Sequence, residues 1–347
     1  MKNIYFRKTA FIALIGSCIV ACKNTDVNPD SRTALDAIGP RGTTEVTHVI
    51  PAAGHTFTDV QICYDGKVFL LENGRLKRLE GAQLTDVSVP QGFYTDFSPT
   101  YLAISKDFTF YFRSPDAIKI VKGGKLLKSY HVGQAPLQDF TEQTFGSLEL
   151  AVDEADQSLI FGTVRRGFDP ILFSLYKLTK KGQVGFIPLD ESDESPQAFM
   201  TCFTIGAPGT LWSSGLGAFT EYYYSILYKN SLGSDPFTYA SPVAYGYPLN
   251  SNHDTALPEG PINKVTIPVI GSIKITKDAK VMYLKTGEYN AAGQAGVSSF
   301  GNIYRVRNDS IIKIAQNVEN KRIAITNDNK TLYLAGKGLD KITLNGQ

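Results

Sequence analysis

A short phrase recurs six times in this chain, and it constrains the fold more than any other feature of the sequence. Each copy is an apolar segment, a turn that usually contains Asp or Gly, and a second apolar segment with an aromatic residue. The copies are Gln61–Leu71, Tyr101–Phe112, Leu148–Phe161, Met200–Trp212, Ser272–Leu284 and Arg322–Leu334. Alternation of apolar and polar residues is the period of a β-strand, so each copy predicts a β-hairpin.

The spacing of the copies predicts a β-propeller. They lie roughly 40 to 70 residues apart, and further strand-like segments follow the first five, which matches the propeller period of four strands per repeat. The fold expected is all-β, a six-bladed propeller with four-stranded blades. Seven blades are the alternative, because a degenerate blade could lie within Pro236–Val269.

The last repeat supplies one strand too few. The β-rich segment Thr43–Ile50 precedes the first repeat and has no partner of its own. We expect it to become the outer strand of the last blade, which closes the ring and removes an exposed sheet edge. The repeats resemble those of six-bladed propellers of the NHL and TolB-like kind, and this resemblance covers about residues 43–347.

The N-terminus has the pattern of an export signal. A basic start (Lys2, Arg7 and Lys8) precedes the apolar stretch Thr9–Val20, which is short for a membrane span. Ile19-Val20-Ala21-Cys22 resembles the bacterial lipobox, so residues 1–21 are expected to be a lipoprotein signal peptide and Cys22 the lipidated residue. An ordinary secretory signal cut after Ala21 is the alternative.

The resemblance to the lipobox implies a protein of the cell envelope. It would be held in the outer membrane by its acyl chains, palmitate among them, with the domain facing the periplasm or the cell surface. Lys23–Asp26 loosely resembles the surface-export signal of Bacteroidota lipoproteins. Residues 22–42 are polar and rich in turn residues, which predicts a flexible tether, and residues 43–347 form the propeller domain.

The charge balance argues against a nucleic-acid partner. The chain has 35 basic and 33 acidic residues. Removal of the signal peptide takes away three basic residues and leaves 32 basic against 33 acidic ones. A domain near neutrality has no electrostatic attraction for a phosphate backbone.

The expected binding surface is the face that carries the long loops. Loops between the second and third strands of a blade, and between blades, are long here, and binding residues concentrate in such loops. Two groups stand out: an arginine pair and a tyrosine-rich region whose rings could stack on sugars or dock a protein. The candidate ligand-binding residues are Arg165, Arg166, Phe219, Tyr222, Tyr223, Tyr245 and Tyr247. Packing between blades and a solvated charge run are the alternatives.

Catalytic and metal-binding patterns are weak. None of the four histidines lies in an HxxxH spacing, and no CxxC or Gly-x-Ser-x-Gly motif occurs. No catalytic residue, metal or cofactor is therefore expected. Six-bladed lactonases of the gluconolactonase type bind a divalent ion with carboxylate and Asn side chains, and the candidates for such ligands are Asp59, Asp96, Asp153 and Asn263. Cys63 and Cys202 are expected to be buried thiols.

These observations favour a non-enzymatic, membrane-anchored binding propeller that is monomeric. Its partner would be a glycan, a peptide or a protein. A metal-dependent lactonase or related hydrolase is one alternative, and an envelope assembly scaffold, in the manner of TolB-like propellers, is another.

Overall fold

The structure is a computed structural model. The residues it describes are 45–141, 145, 149–165, 172–187, 199–206, 209–219, 222–231, 241–245, 260–262, 270–286, 301–316, 318–319 and 322–344. The expected signal peptide, Cys22 and tether therefore lie outside the described residues. Within these ranges, no helix has the length and hydropathy needed to cross a membrane.

The described strands form six antiparallel sheets, numbered here in the order in which their innermost strands occur along the chain. Sheet 1 contains β2 (Phe57–Ile62), β3 (Val68–Glu72), β4 (Arg75–Glu80) and β5 (Gln83–Asp86). Sheet 2 contains β6 (Tyr101–Ile104), β7 (Thr109–Arg113), β8 (Ala117–Lys122) and β9 (Lys125–His131). Sheet 3 contains β10 (Leu150–Asp153), β11 (Ser158–Arg165), β12 (Leu172–Leu178) and β13 (Val184–Ile187).

The second half of the chain builds the other three sheets. Sheet 4 contains β14 (Phe199–Ile205), β15 (Thr210–Phe219), β16 (Tyr222–Ser231) and β17 (Ser241–Tyr245). Sheet 5 contains β18 (Gly260–Pro261), β19 (Ile270–Ile275), β20 (Val281–Thr286), β21 (Ile303–Arg307) and β22 (Ser310–Ala315). Sheet 6 contains β23 (Arg322–Ile325), β24 (Thr331–Gly336), β25 (Gly338–Thr343) and β1 (Val46–Ile50).

The expectation of six, or alternatively seven, uniform four-stranded blades is wrong. Five sheets are four-stranded blades, and sheet 5 has five strands because β18 pairs with the outer side of β22. Pro261 can lie there because an edge strand leaves one side without backbone partners. The described strands within 236–269 belong to sheets 4 and 5, so they build no additional blade.

Sheet 6 joins the two ends of the described chain. β1 pairs with β25 at the outer edge of the sheet, with Val46 opposite Ile342 and Ile50 opposite Leu339. This is the pairing that the sequence predicted for the segment before the first repeat. The side chain of Ile50 is buried among residues of sheets 6 and 1, so β1 also helps to join the last sheet to the first.

The innermost strands form a closed ring. β2, β6, β10, β14, β19 and β23 each contact the next, and β23 contacts β2. Apolar clusters fill the spaces between successive sheets; one example is the cluster around Phe112 between sheets 1 and 2. Since the core is divided among these spaces, side chains near the axis of the ring are free to carry function.

The hairpins after the innermost strands share one geometry, which aligns the repeats. A Ser or Thr hydroxyl lies against an Asp two residues later in three of them: Ser105 with Asp107 at 2.6 Å, Thr276 with Asp278 at 2.6 Å and Thr326 with Asp328 at 2.7 Å. The residue that closes each hairpin by backbone pairing is Cys63, Ser105, Asp153, Gly206, Thr276 or Thr326. Counting back from these residues gives equivalent positions on all the innermost strands.

The tyrosine-rich region, expected on the face with the long loops, lies partly in strands. Most of Gly215–Tyr223 belongs to the hairpin of β15 and β16, and Phe219 pairs with Tyr222 at its closed end. Tyr245 lies in β17 opposite Ile226. Tyrosine is enriched in strands, so tyrosine-rich segments pair well in sheets. The expectation of buried thiols at Cys63 and Cys202 is confirmed: both side chains are buried, and they form no disulfide.

Candidate functional site

A cavity of about 220 Å³ lies at the centre of the ring, and every innermost strand contributes to its wall. It sits toward the ends of these strands that lead into the hairpin turns. Gln61 and Ile62 line it from β2, Thr204 and Ile205 from β14, and Lys274 from β19. Such a cavity on the axis of a rigid scaffold is a typical ligand site.

Small side chains create this cavity. The positions two residues before each hairpin-closing residue form what we call the small-residue ring: Gln61, Ala103, Ala151, Thr204, Lys274 and Ala324. All six line the cavity. Three alanines and a threonine leave the axis open at this level, whereas larger side chains would fill it. The long side chain of Lys274 extends from one side of an otherwise small ring.

Lys274 carries the charge of the small-residue ring. Its side chain is partly buried, and burial lowers the pKa of its amine from 10.5, while the nearby Asp59 acts in the opposite direction. Within the described part of the chain, no carboxylate lies in ion-pair distance of its amine. A desolvated cation without a close counter-ion is poised to bind an anionic or hydrogen-bond-accepting group.

The described cavity wall is cationic and polar. It contains two lysines, Lys274 and Lys277, and no Asp or Glu. Lys277 lies in the turn after β19, where its ammonium is 3.8 Å from the centre of the exposed Tyr64 ring. Hydroxyl and amide groups of Thr204, Gln61, Thr326 and Asn327 complete the polar lining.

A second set of equivalent positions lies four residues before the hairpin-closing residues. We call it the charged ring: Asp59, Tyr101, Glu149, Cys202, Ser272 and Arg322. Arg322 forms an ion pair with Glu149, and its guanidinium lies 4.9 Å from the centre of the Tyr101 ring. Because β23 and the strand after Glu149 are three places apart in a ring of six, this ion pair crosses the central axis. It forms a floor beneath the small-residue ring.

Asp59 belongs to the same floor and ties two innermost strands together. One carboxylate oxygen accepts a hydrogen bond from the backbone N–H of Val60 at 2.8 Å, and the other accepts one from Leu102 of β6 at 2.8 Å. Burial raises the pKa of Asp59 from 3.8, although Arg322 and Lys274 oppose this effect. Its oxygens are occupied, so we assign Asp59 a structural role.

Arg113 lies outside the two rings and positions Glu149, the acidic residue of the ion pair with Arg322. The residue is fully buried in β7 and donates hydrogen bonds to the backbone carbonyls of Phe145, Gly162 and Glu149. Burial lowers the pKa of its guanidinium to about 9, which leaves it charged at neutral pH. The guanidinium also lies 4.5 Å from the centre of the Phe145 ring. Arg113 thus fixes the backbone on which Glu149 enters the ring.

None of the candidate ligand-binding residues expected from the sequence has a described side chain. Arg165, Phe219, Tyr222, Tyr223 and Tyr245 lie in strands, but their side chains are outside the described residues. Arg166 and Tyr247 are outside them altogether, as is Asn263. The binding role of these residues stays a prediction.

The three described candidates for metal ligands do not converge. Asp59 lies in the charged ring, Asp96 is exposed in the loop between sheets 1 and 2, and Asp153 lies 3.9 Å from the ammonium of Lys177. No group of three metal-binding side chains occurs among the described residues. Asp and Asn are frequent in turns, so their presence in the sequence said little about their position.

Reasoning from single motifs missed Lys274 and the rest of the small-residue ring. The signal was present in the repeats themselves. When the six hairpins are aligned on their turns, Lys274 falls in the same column as Ala103, Ala151 and Ala324. A lysine in a column of alanines near the axis of a propeller indicates a site, because packing alone would not place a charge there.

Comparisons with known proteins support the fold. No family model and no curated protein sequence matches the chain. A gluconolactonase from Xanthomonas campestris superposes with a TM-score of 0.55 and 10% identity, over 93% of this chain and 96% of that one. An extracellular domain described as that of a putative hybrid two component system from B. thetaiotaomicron has a TM-score of 0.48 and 10% identity, and the match covers 88% of this chain and 40% of that one. Virginiamycin B lyase from Staphylococcus aureus has a TM-score of 0.43 and 14% identity, and the match covers 86% of this chain and 99% of that one. At 10% identity, the likeness to the gluconolactonase supports the fold alone.

Proposed function

We propose that this protein is a binding propeller that takes a small polar ligand into its central cavity. The observation that carries the proposal is the small-residue ring: four of the six innermost strands carry a small side chain at the same level, and another places a lysine there. A rigid ring of sheets holds such a cavity open before the ligand arrives, which lowers the entropic cost of binding.

The size of the cavity limits the ligand. Pockets for drug-sized molecules measure roughly 300–1,000 Å³, and the cavity here has about 220 Å³. A ligand that is enclosed completely is therefore smaller than the oligosaccharide or peptide that the sequence suggested. The long-loop face stays a separate prediction, and the cavity lies toward the opposite end of the innermost strands.

A metal-dependent lactonase is a weaker candidate. The gluconolactonase that shares the fold makes it relevant. It requires several carboxylate or Asn ligands around one ion, and the described residues provide no such group. We therefore favour binding over hydrolysis.

We further propose that the propeller is anchored in the cell envelope through Cys22, as the sequence around Ala21 suggests. Cells fed with labelled palmitate should produce a labelled protein, and Cys22→Ser should abolish the label while the chain is still synthesised. Persistent labelling of the Cys22→Ser variant would contradict this assignment. An unlabelled parent protein would contradict it as well.

The cavity can be tested by filling it. Ala151→Phe places a large ring at the level of the small-residue ring and should abolish binding, because the ligand and the ring would occupy the same volume. Isothermal titration calorimetry with glycerol, threitol, glycerate and tartrate should detect at least one ligand for the parent and none for this variant. The matched control is Ala155→Phe, which lies at an exposed turn position of the same sheet and should bind as the parent does.

Two results would overturn the proposed function. One is that no member of the panel binds the parent protein. The other is that ligands bind equally well to the folded Ala151→Phe variant, which would place binding outside the cavity. Circular dichroism establishes whether the variant is folded before the titration.

A further inference from the structure

We infer that the ligand of the central cavity is a small hydroxycarboxylate, held by Lys274 through its carboxylate group. This inference rests on the proposed function and names the class of molecule that the cavity selects. Its basis is the chemistry of the wall: cations at two depths, neutral donors and acceptors between them, and no carboxylate among the described lining residues.

The carboxylate is assigned from the charges. Lys274 lies inside the small-residue ring, and Lys277 lies at the turn level where the cavity opens. A neutral ligand would leave the ammonium of Lys274 desolvated and without a close partner, which costs free energy. A carboxylate removes this cost by forming a charge-assisted hydrogen bond, one of the stronger interactions available in a partly buried site.

The charged ring explains why a ligand anion would bind Lys274 and not Arg322. Arg322 is already neutralised by Glu149 across the axis. The carboxylate of Asp59 is engaged by the N–H groups of Val60 and Leu102. The charged ring and the small-residue ring contain two cations, Arg322 and Lys274. Of these, only Lys274 has no carboxylate within ion-pair distance among the described residues, so it is the cation that a ligand anion can pair with.

The hydroxyl groups are assigned from the neutral side chains. Gln61 and Thr204 stand in the same ring as Lys274 and are assigned to the ligand hydroxyls. Thr326 and Asn327 line the cavity nearer the turns, where the Thr326 hydroxyl is hydrogen-bonded to Asp328 and the Asn327 amide donates to the carbonyls of Cys63 and Tyr64. Amides and hydroxyls can each donate and accept, which suits ligand hydroxyls better than a purely apolar tail. The alanines between them leave flat apolar surface for the carbon chain of the ligand.

Matched pairs of ligands test the inference. Glycerate and glycerol differ by a carboxylate in place of a hydroxymethyl group, and tartrate and threitol differ in the same way at both ends. We expect the acids to bind the parent at least tenfold more tightly than the alcohols. Lys274→Met should weaken glycerate binding by roughly 10–100-fold, the effect of losing one hydrogen bond to a charged group, so that glycerate loses its advantage over glycerol. Lys280→Met, at an exposed position in the following turn, is the matched control.

The pH dependence provides a second readout. Anion binding stabilises the protonated amine, so the affinity for glycerate should fall as the pH rises through the lowered pKa of Lys274 toward 10.5. Asp59 and Cys202 each raise the pKa of this amine. Tyr283 of β20 lies opposite Lys274 in the sheet, and Arg322 and Lys277 are the neighbouring cations. Glycerol binding should not show this fall in affinity, and Lys274→Met should abolish the pH dependence of glycerate binding.

The outcomes separate the inference from the proposed function. Binding of the alcohols alone, lost in Ala151→Phe, would overturn the carboxylate assignment and leave the cavity as the site. Acid binding that Lys274→Met does not change would overturn the role of Lys274. Tighter binding of inorganic phosphate than of any carboxylate would replace the proposed ligand class. Absence of all binding would overturn both proposals.

Discussion

Replacement of Arg113 by Ala should lower the free energy of unfolding by about 4 kcal/mol. The change removes a large buried side chain, which typically costs about 3–5 kcal/mol, and takes hydrogen-bond donors away from three backbone carbonyls. It also removes the packing of the guanidinium on the rings of Phe145 and Phe161. Urea denaturation followed by circular dichroism measures the effect.

Two further variants separate the causes. Arg113→Met restores most of the volume but none of the hydrogen bonds, so its stability should lie between those of the parent and Arg113→Ala. Arg78→Ala, which removes a solvent-exposed arginine and its surface ion pair, should change stability by less than about 1 kcal/mol. If Arg113→Met is as stable as the parent, the carbonyl contacts provide no net stabilisation, and our account of Arg113 is wrong.

A chain that begins at residue 51 should be less stable by about 4 kcal/mol or more than a chain that begins at residue 45. The shorter chain lacks β1, so Ile50 no longer contributes its burial, worth about 1.5–3 kcal/mol. Val46 and Val49 lose their contacts with the neighbouring clusters. The backbone partners of β25 are lost as well, at roughly 0.5–1.5 kcal/mol for each hydrogen bond.

The shorter chain should also self-associate, because β25 becomes an exposed sheet edge. Size-exclusion chromatography with light scattering would detect this, and the longer chain is the control that retains β1 and should stay monodisperse. Equal stability and equal mass of the two chains would show that β1 contributes little to closure of the ring.

The sequence predicted the repeated hairpins well because their signals are local. The hairpin of Arg322–Leu334 appears as β23 and β24, and its turn lies between Thr326 and Thr331 as expected. The position of β1 was predictable for a different reason: sheet 6 lacked a strand, and a β-rich segment elsewhere lacked a partner. Both arguments depend on backbone pairing, which local patterns describe directly.

The strand count of sheet 5 was not predictable in this way. Gly260–Pro261 is a two-residue strand without periodicity, and it joins β22 through tertiary placement. The tyrosine-rich segment around Phe219 was expected on the long-loop face from its position in the repeat, although it continues a long hairpin. Short edge strands and Gly-containing strands lack the signal on which sequence patterns depend.

The candidate site was missed because it is a property of the ring and not of any motif. Lys274 has ordinary neighbours in sequence, and Ala103, Ala151 and Ala324 are unremarkable singly. Their meaning appears when six strands are placed around one axis, where small side chains leave a volume and the lysine enters it. Such convergence over long sequence distances is beyond single-sequence periodicity.

Because β1 pairs with β25, the ring can close only after almost the whole chain has been translated. His48 and Asp340 are hydrogen-bonded at 2.6 Å although 292 residues separate them. At roughly 5–20 residues per second, β1 would wait on the order of 15–60 s for its partner to be made. A chain that stops before Gly338 leaves β1 without its neighbour and the edge of β24 unpaired. Aborted chains would thus stay open to proteases, and resistance to proteolysis would mark those that were translated to the end.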